Sequence, residues 1–202
     1  MFLRNKYWVL RHGKSIPNEK GLIVSSMENG IKEEYQLADE GVGQAQLAGE
    51  LFLKELKERN IPLESVRICY SPFARTSHTA KVVASVLNLP FEGPQCKYAE
   101  IWALDEKDPF TRPEGGESVN DVATRLASAL AIIESEFQGC AVLIVSHGDP
   151  LQILQTVLNA TKQNTESSSN DLASIIQAVK VPSVLSQHRK FALVTGELRP
   201  VE

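Results

Sequence analysis

Three apolar runs in this chain each end by handing a histidine or an arginine to a turn. Tyr7, Trp8, Val9 and Leu10 run into Arg11, His12 and Gly13. Val66–Tyr70 runs into Ser71, Pro72, Phe73, Ala74 and Arg75, and Val142, Leu143, Ile144 and Val145 run into Ser146, His147, Gly148, Asp149 and Pro150. Short runs of this kind, apolar on both faces and bounded by turn residues, read as strands of a sheet covered on each side. Open α/β sheets place ligands beyond the carboxyl ends of their strands. The three turns should therefore meet there, around an anion.

Between these runs the apolar period changes to that of a helix. Val42, Ala45, Ala48, Phe52 and Leu56 recur at helical spacing after Asp39, a candidate N-cap. A second helix follows Pro72, buries Ala80, Val83, Ala84 and Leu87, and stops before Pro90. A third carries Val119, Val122, Leu126, Leu130, Ile133 and Phe137 on one side, and Ser118 with Asp121 three residues on resembles a capping box at its start. Asp149 and Pro150 read as N-cap and first residue of a fourth helix reaching residue 158, and a shorter helix is expected over residues 171–179. Alternation of this kind argues for a three-layer α/β/α sandwich with a mainly parallel sheet, and residues 191–194 are read as an antiparallel edge strand. Residues 19–35 have no clear period and are expected to form a loop able to overhang the site; residues 163–170, polar and rich in serine, read as a surface loop.

With 202 residues, 43% of them hydrophobic, the chain can bury a good-sized core, and residues 1–202 are read as a single domain. A net charge of −4 argues against a global field for nucleic acid or an anionic membrane, so attraction for an anion must be local. No run approaches a membrane span and the first ten residues are too interrupted for a signal peptide, from which a cytoplasmic protein is expected. Cys69, Cys96 and Cys140 lack metal-ligand spacing and are read as buried reduced thiols. Four histidines without such spacing argue against a metal site, and no cofactor is expected. Oligomeric state is not legible in the pattern.

A histidine can be a neutral nucleophile or an acid-base group near pH 7, whereas arginine stays charged and offers forked donors to phosphate oxygens. His12 and His147 beside Arg11 and Arg75 therefore suit phosphoryl transfer, which needs positioning and charge stabilisation above all. A proton donor for the leaving oxygen is still to be found.

The same residues carry a family resemblance. Arg11, His12, Gly13, Ser15 and Asn18 resemble the Arg-His-Gly-x-Ser-x-x-Asn signature of the histidine phosphatase superfamily, in its phosphoglycerate mutase-like branch. Further motifs match in order: Leu37 to Gly41 with Gln44 and Ala45, where Ala38 replaces the usual threonine; Ser71, Pro72 and Arg75 with Thr79 and Ala80; Gly116, Glu117 and Ser118 with Asp121, Val122 and Arg125; and His147 with Gly148. Each motif alone is short; five in order are a specific signal.

The resemblance implies that His12 attacks phosphorus and becomes a transient phosphohistidine, while Arg11, Arg75, Asn18 and His147 hold the non-bridging oxygens. Glu100 corresponds to the acid that protonates the leaving group and then activates water; Tyr98 stands where the family has leucine, and Asp105 and Glu106 lie nearby. To act as an acid Glu100 needs a raised pKa, which burial by a neighbour such as Trp102 would supply. Ser15 and Gly148 join the substrate contacts, although Ser15 could equally cap its turn. Arg125 is read as solvated or ion-paired, and His78 and His188 fall at no catalytic position.

Family mutases carry a longer insertion with additional lysine and paired arginines after the acidic residue. Here residues 101–116 supply only Lys107 and Arg112, which favours hydrolysis over retention of a bisphosphate. The expected activity is a metal-independent phosphatase acting on a small phosphate ester. A phosphoglycerate mutase-type transferase and a catalytically weak module that binds a phosphorylated partner are the alternatives.

Overall fold

The computed structural model describes residues 3–91, 118–163 and 172–201. Its four strands are β1 (Lys6–Arg11), β2 (Val66–Tyr70), β3 (Ala141–Ser146) and β4 (Leu198–Val201). They lie in the order β2-β3-β1-β4, with β1 and β2 each parallel to β3 and β4 antiparallel to β1. Helices cover both faces, as the alternating sequence pattern requires, and the fold is the α/β sandwich expected, with a mostly parallel sheet and one antiparallel edge.

Strand alternation sorts the core into two layers. Trp8 and Leu10 of β1, Leu143 and Val145 of β3 and Ile68 of β2 pack with Ala48, Phe52 and Leu56 of α3 (Asp39–Glu58) and Val83 and Ala84 of α4 (Ala74–Val86). On the other face, Tyr7, Val9, Val142 and Ile144 meet Leu126, Leu130 and Ile133 of α5 (Val119–Glu136) and Leu151, Leu154 and Leu158 of α6 (Gly148–Gln163). Shorter helices complete the described chain: α1 (Ile16–Glu19) and α2 (Met27–Gly30) between β1 and α3, and α7 (Leu172–Val179) and α8 (Pro182–Leu185) before β4.

Several helix starts differ from the sequence reading. Asp39 lies in the first turn of α3 and Ala38 occupies the cap without a side-chain bond; the aspartate acts there as a negative charge at the positive end of the helix. Likewise α6 starts at Gly148, one residue before Asp149, and runs on to Gln163. The Ser118–Asp121 capping box is present in full. Residues 188–191 form a 3-10 turn, and the antiparallel strand lies further on at Leu198–Val201, after a turn at Gly196 with φ of +76°. Proline at position 200 is compatible with that edge position, where the strand pairs on one side only. Cys69 is disulfide-bonded, which corrects its reading as a reduced thiol; spacing alone carries no information on pairing. Cys140 is free and buried, and Cys96 lies outside the described residues, as does the loop of residues 164–170.

At the amino end of the sheet a buried carboxylate ties the layers together. Glu134 of α5 accepts from the Arg4 backbone N–H (2.6 Å), Asn5 Nδ2 (2.9 Å) and the Tyr7 hydroxyl. Burial and this carboxylate together raise the Tyr7 pKa, so the phenol remains a donor.

Candidate active site

Beyond the carboxyl ends of the strands lies a cavity of about 270 Å³ whose wall includes Arg11, His12, Asn18, Arg75, His147 and Gly148. His12 follows β1, and its backbone N–H continues the ladder by donating to Ser146 at 3.0 Å. Ser71 does the same from β2, donating to Val145 at 3.1 Å. The parallel register thus brings the three turns side by side, and the rings of His12 and His147 stand edge to face with centroids 5.3 Å apart.

Protonation of His12 follows from one contact. Its Nδ1 lies 2.7 Å from the carbonyl oxygen of Gly13, a group that can only accept, so Nδ1 carries the hydrogen. Nε2 is then left with a lone pair. Burial, reinforced by the positive charges of Arg75 and Arg11, lowers the His12 pKa to about 3, so the ring is neutral at pH 7. His147 is held well below its ordinary value, first by burial and then by His12, Arg75, Arg125 and Arg11. Its Nε2 lies 3.0 Å from Ser71 Oγ, and its buried Nδ1 has no partner among the described residues.

The turn after β1 is clamped from several directions. Gly13 N–H donates to Thr79 Oγ1 of α4 (3.2 Å), Lys14 N–H to Gln44 Oε1 of α3 (2.8 Å), and Gly196 N–H to the carbonyls of both Arg11 and His12. A Cβ on Gly13 would come within 2.3 Å of the Gly41 carbonyl, and one on Gly41 within 2.0 Å of the Lys14 carbonyl. Glycine is required on both sides because backbone meets backbone there. Lys14 itself pairs with Glu40 at 2.6 Å.

Cations and neutral donors complete the arrangement. The Arg75 guanidinium lies 4.7 Å from the Phe73 ring centroid and donates to the Val24 carbonyl at 3.2 Å; burial lowers its pKa to about 10, which leaves it charged. Arg11 donates through Nη1 to Leu193 O at 2.6 Å, while its buried Nε has no partner among the described residues. Ser15 and Asn18 form a capping box at α1: Asn18 Oδ1 accepts from Ser15 N and Oγ, leaving Asn18 Nδ2 without a partner among the described residues. The Ser15 hydroxyl, fully buried, is engaged in that cap. Gly148 opens α6, whose first N–H groups have no intrahelical acceptor and suit an anion.

A family model described as the histidine phosphatase superfamily (branch 1) matches residues 7–95 and 94–180. The chain belongs to this superfamily. No curated protein matches the chain. Among solved structures, an open-reading-frame product from Mycobacterium tuberculosis is 24% identical, covers 97% of this chain and 90% of its own, and superposes with a TM-score of 0.57. A mycobacterial glucosyl-3-phosphoglycerate phosphatase solved with VO3 is 19% identical over 96% of this chain and 90% of its own, with a TM-score of 0.58. A phosphoserine phosphatase from Entamoeba histolytica, in complex with 3-phosphoglyceric acid, is 18% identical over 97% and 89%, with a TM-score of 0.56. At these identities the likeness is one of fold.

The histidine phosphatase motifs therefore converge in space for Arg11, His12, Asn18, Arg75, His147 and Gly148. Glu100 lies outside the described residues, as do Tyr98, Trp102, Asp105, Glu106, Lys107, Arg112, Gly116 and Glu117. Of the two readings of Arg125, solvated or ion-paired, burial excludes the first: it is 8% exposed and close enough to His147 to depress its pKa. Ser71 and Thr79 are contributors that side-chain chemistry alone did not single out. Their signal was positional, since Ser71 directly follows β2 and Thr79 lies one helical turn after Arg75.

Proposed function

We propose that this histidine phosphatase superfamily member is a metal-independent phosphomonoesterase that works through a phosphohistidine on His12. One observation carries the reading: a neutral imidazole whose Nδ1 hydrogen is committed to the Gly13 carbonyl presents its Nε2 lone pair to a cavity lined by Arg11, Arg75 and His147. In the first step the Nε2–P bond forms and the P–O bond to the alcohol breaks. Glu100, named from the motif order, gives its proton to the leaving oxygen; water then attacks phosphorus, Glu100 recovers a proton and the N–P bond breaks.

Arg11 and Arg75 supply charge to the non-bridging oxygens, joined by Asn18 Nδ2 and the N–H of Gly148. An anion beside His147 favours the tautomer with hydrogen on Nδ1, and the Ser71 hydroxyl then donates to Nε2. A neutral donor suits this position, because a histidinium at His147 would hand its proton to the His12 Nε2 lone pair and quench the nucleophile.

The test is incubation with a radiolabelled phosphodonor in chelator, followed by an acid-lability assay. Label on histidine, lost with His12→Ala together with turnover of p-nitrophenyl phosphate, is the expected result. Fast interconversion of 3- and 2-phosphoglycerate without net phosphate release would instead establish a mutase. Turnover that survives His12→Ala would remove the proposed nucleophile.

A further inference from the structure

One wall of the cavity has a different chemistry from the phosphate cradle. Residues 22–24 read Leu-Ile-Val; Leu22 is 52% exposed and Ile23 is 94% exposed, yet all three line the same cavity as His12. This segment is tied down, with the Leu22 N–H on the Pro17 carbonyl at 2.9 Å and the Val24 carbonyl accepting from Arg75. The arginine that faces the cradle therefore also holds the apolar wall beside it. Exposed Leu and Ile side by side leave apolar surface in water, and a patch of that kind at a cavity mouth marks a contact for a ligand.

Charge points the same way. Among the described lining residues the only arginines or lysines are Arg11 and Arg75, and the lining also includes Asp149, which repels an anion. Among the described lining residues, a leaving group bearing a carboxylate or a second phosphate meets no further arginine or lysine. We infer that the site selects monoesters whose alcohol is apolar, an alkyl or aryl group laid against Leu22, Ile23 and Val24. The inference rests on the phosphatase reading and names the substrate class of that same site.

The experiment separates the two. Ethyl-, butyl- and hexylphosphonate, which cannot be hydrolysed at phosphorus, are titrated calorimetrically into the full chain and into Ile23→Ser. In parallel, kcat/KM is measured for ethyl, butyl and hexyl phosphate and for 3-phosphoglycerate, all of which release aliphatic alcohols. A fully buried methylene is worth about fourfold, so about twofold per methylene is expected at this open wall, in both affinity and kcat/KM. Ile23→Ser should roughly halve that dependence on a logarithmic scale. 3-Phosphoglycerate should fall below hexyl phosphate by about tenfold or more, because its carboxylate loses water without gaining a cationic partner among the described lining residues. Turnover with no chain-length dependence, or with 3-phosphoglycerate preferred, overturns the apolar-substrate inference and leaves the phosphatase standing. Phosphonate affinity that climbs with chain length in a protein that hydrolyses none of the esters does the reverse.

Discussion

The two ends of β1 bury polar groups under opposite rules. At the amino end, Glu134 is surrounded by donors from Arg4, Asn5 and Tyr7, and Asn5 Oδ1 in turn accepts from Cys140 N–H at 2.9 Å. At the carboxyl end, His147 Nδ1 and Arg11 Nε are buried without partners among the described residues, and two histidines stand neutral beside two arginines. Buried polar groups left open are costly and persist where something else binds them. Mutual satisfaction at one end therefore reads as stability, and its absence at the other as readiness for an anion.

The comparison breaks most visibly if Glu134→Ala is harmless. Truncation strands the buried Tyr7 hydroxyl and removes acceptors from Asn5 Nδ2, which keeps the Phe137 carbonyl, and from the partly buried Arg4 N–H, so we expect a loss of about 3 kcal/mol in unfolding free energy, read from urea midpoints, with kcat of the folded fraction within about twofold of wild type. A large kcat loss without destabilisation would mean that the amino end serves the chemistry.

Acid tests the other end. His12 has a folded-state pKa of about 3, below the ordinary 6.5, so between these values the unfolded chain binds a proton that the native state refuses. Stability is full above pH 6.5 and falls as pH drops toward 3, by about 1.4 kcal/mol per pH unit from His12 alone. Denaturant midpoints for wild type and His12→Gln between pH 7 and pH 5 should diverge in slope by roughly that amount. Equal slopes would show that His12 is charged in the native state.

Ser71→Ala should have the smallest effect. It removes only the group that orients His147, so kcat is expected to fall about tenfold with KM within about twofold, while Ser71→Thr restores part of the rate. A change confined to KM, or to stability, would limit Ser71 to packing.

How much of this was legible in advance differed between the layers of the problem. Strands β1 to β3 and the Ser118 cap are local signals, apolar runs and a capping pair, and they read directly. β4 was misplaced because Leu198–Val201 contains arginine and proline and owes its pairing to β1 rather than to its own pattern. Arg125 reads from sequence as a solvated or ion-paired helix residue because burial of an arginine on a helix depends on what the neighbouring elements bring to it. In the site, the positions of Arg11, His12 and His147 were readable because they end or directly follow a strand, and that of Arg75 because it opens the helix after β2. The hydrogen on His12 Nδ1, the Ser71–His147 pair and the apolar wall of Leu22 and Ile23 arise from distances between elements and had no local signature.

The abutment of Gly13 and Gly41 carries a consequence for mutational tolerance. Neither residue has a side chain to contribute, yet a methyl group on Gly13 would strike the Gly41 carbonyl and one on Gly41 the Lys14 carbonyl, and both obstructions are main chain that cannot rotate aside. In a saturation scan these two positions should score among the most intolerant of the molecule, and paired substitutions should not rescue one another. Intolerance there would report how tightly a helix is seated against a loop, and a scan read without coordinates would mistake it for chemistry.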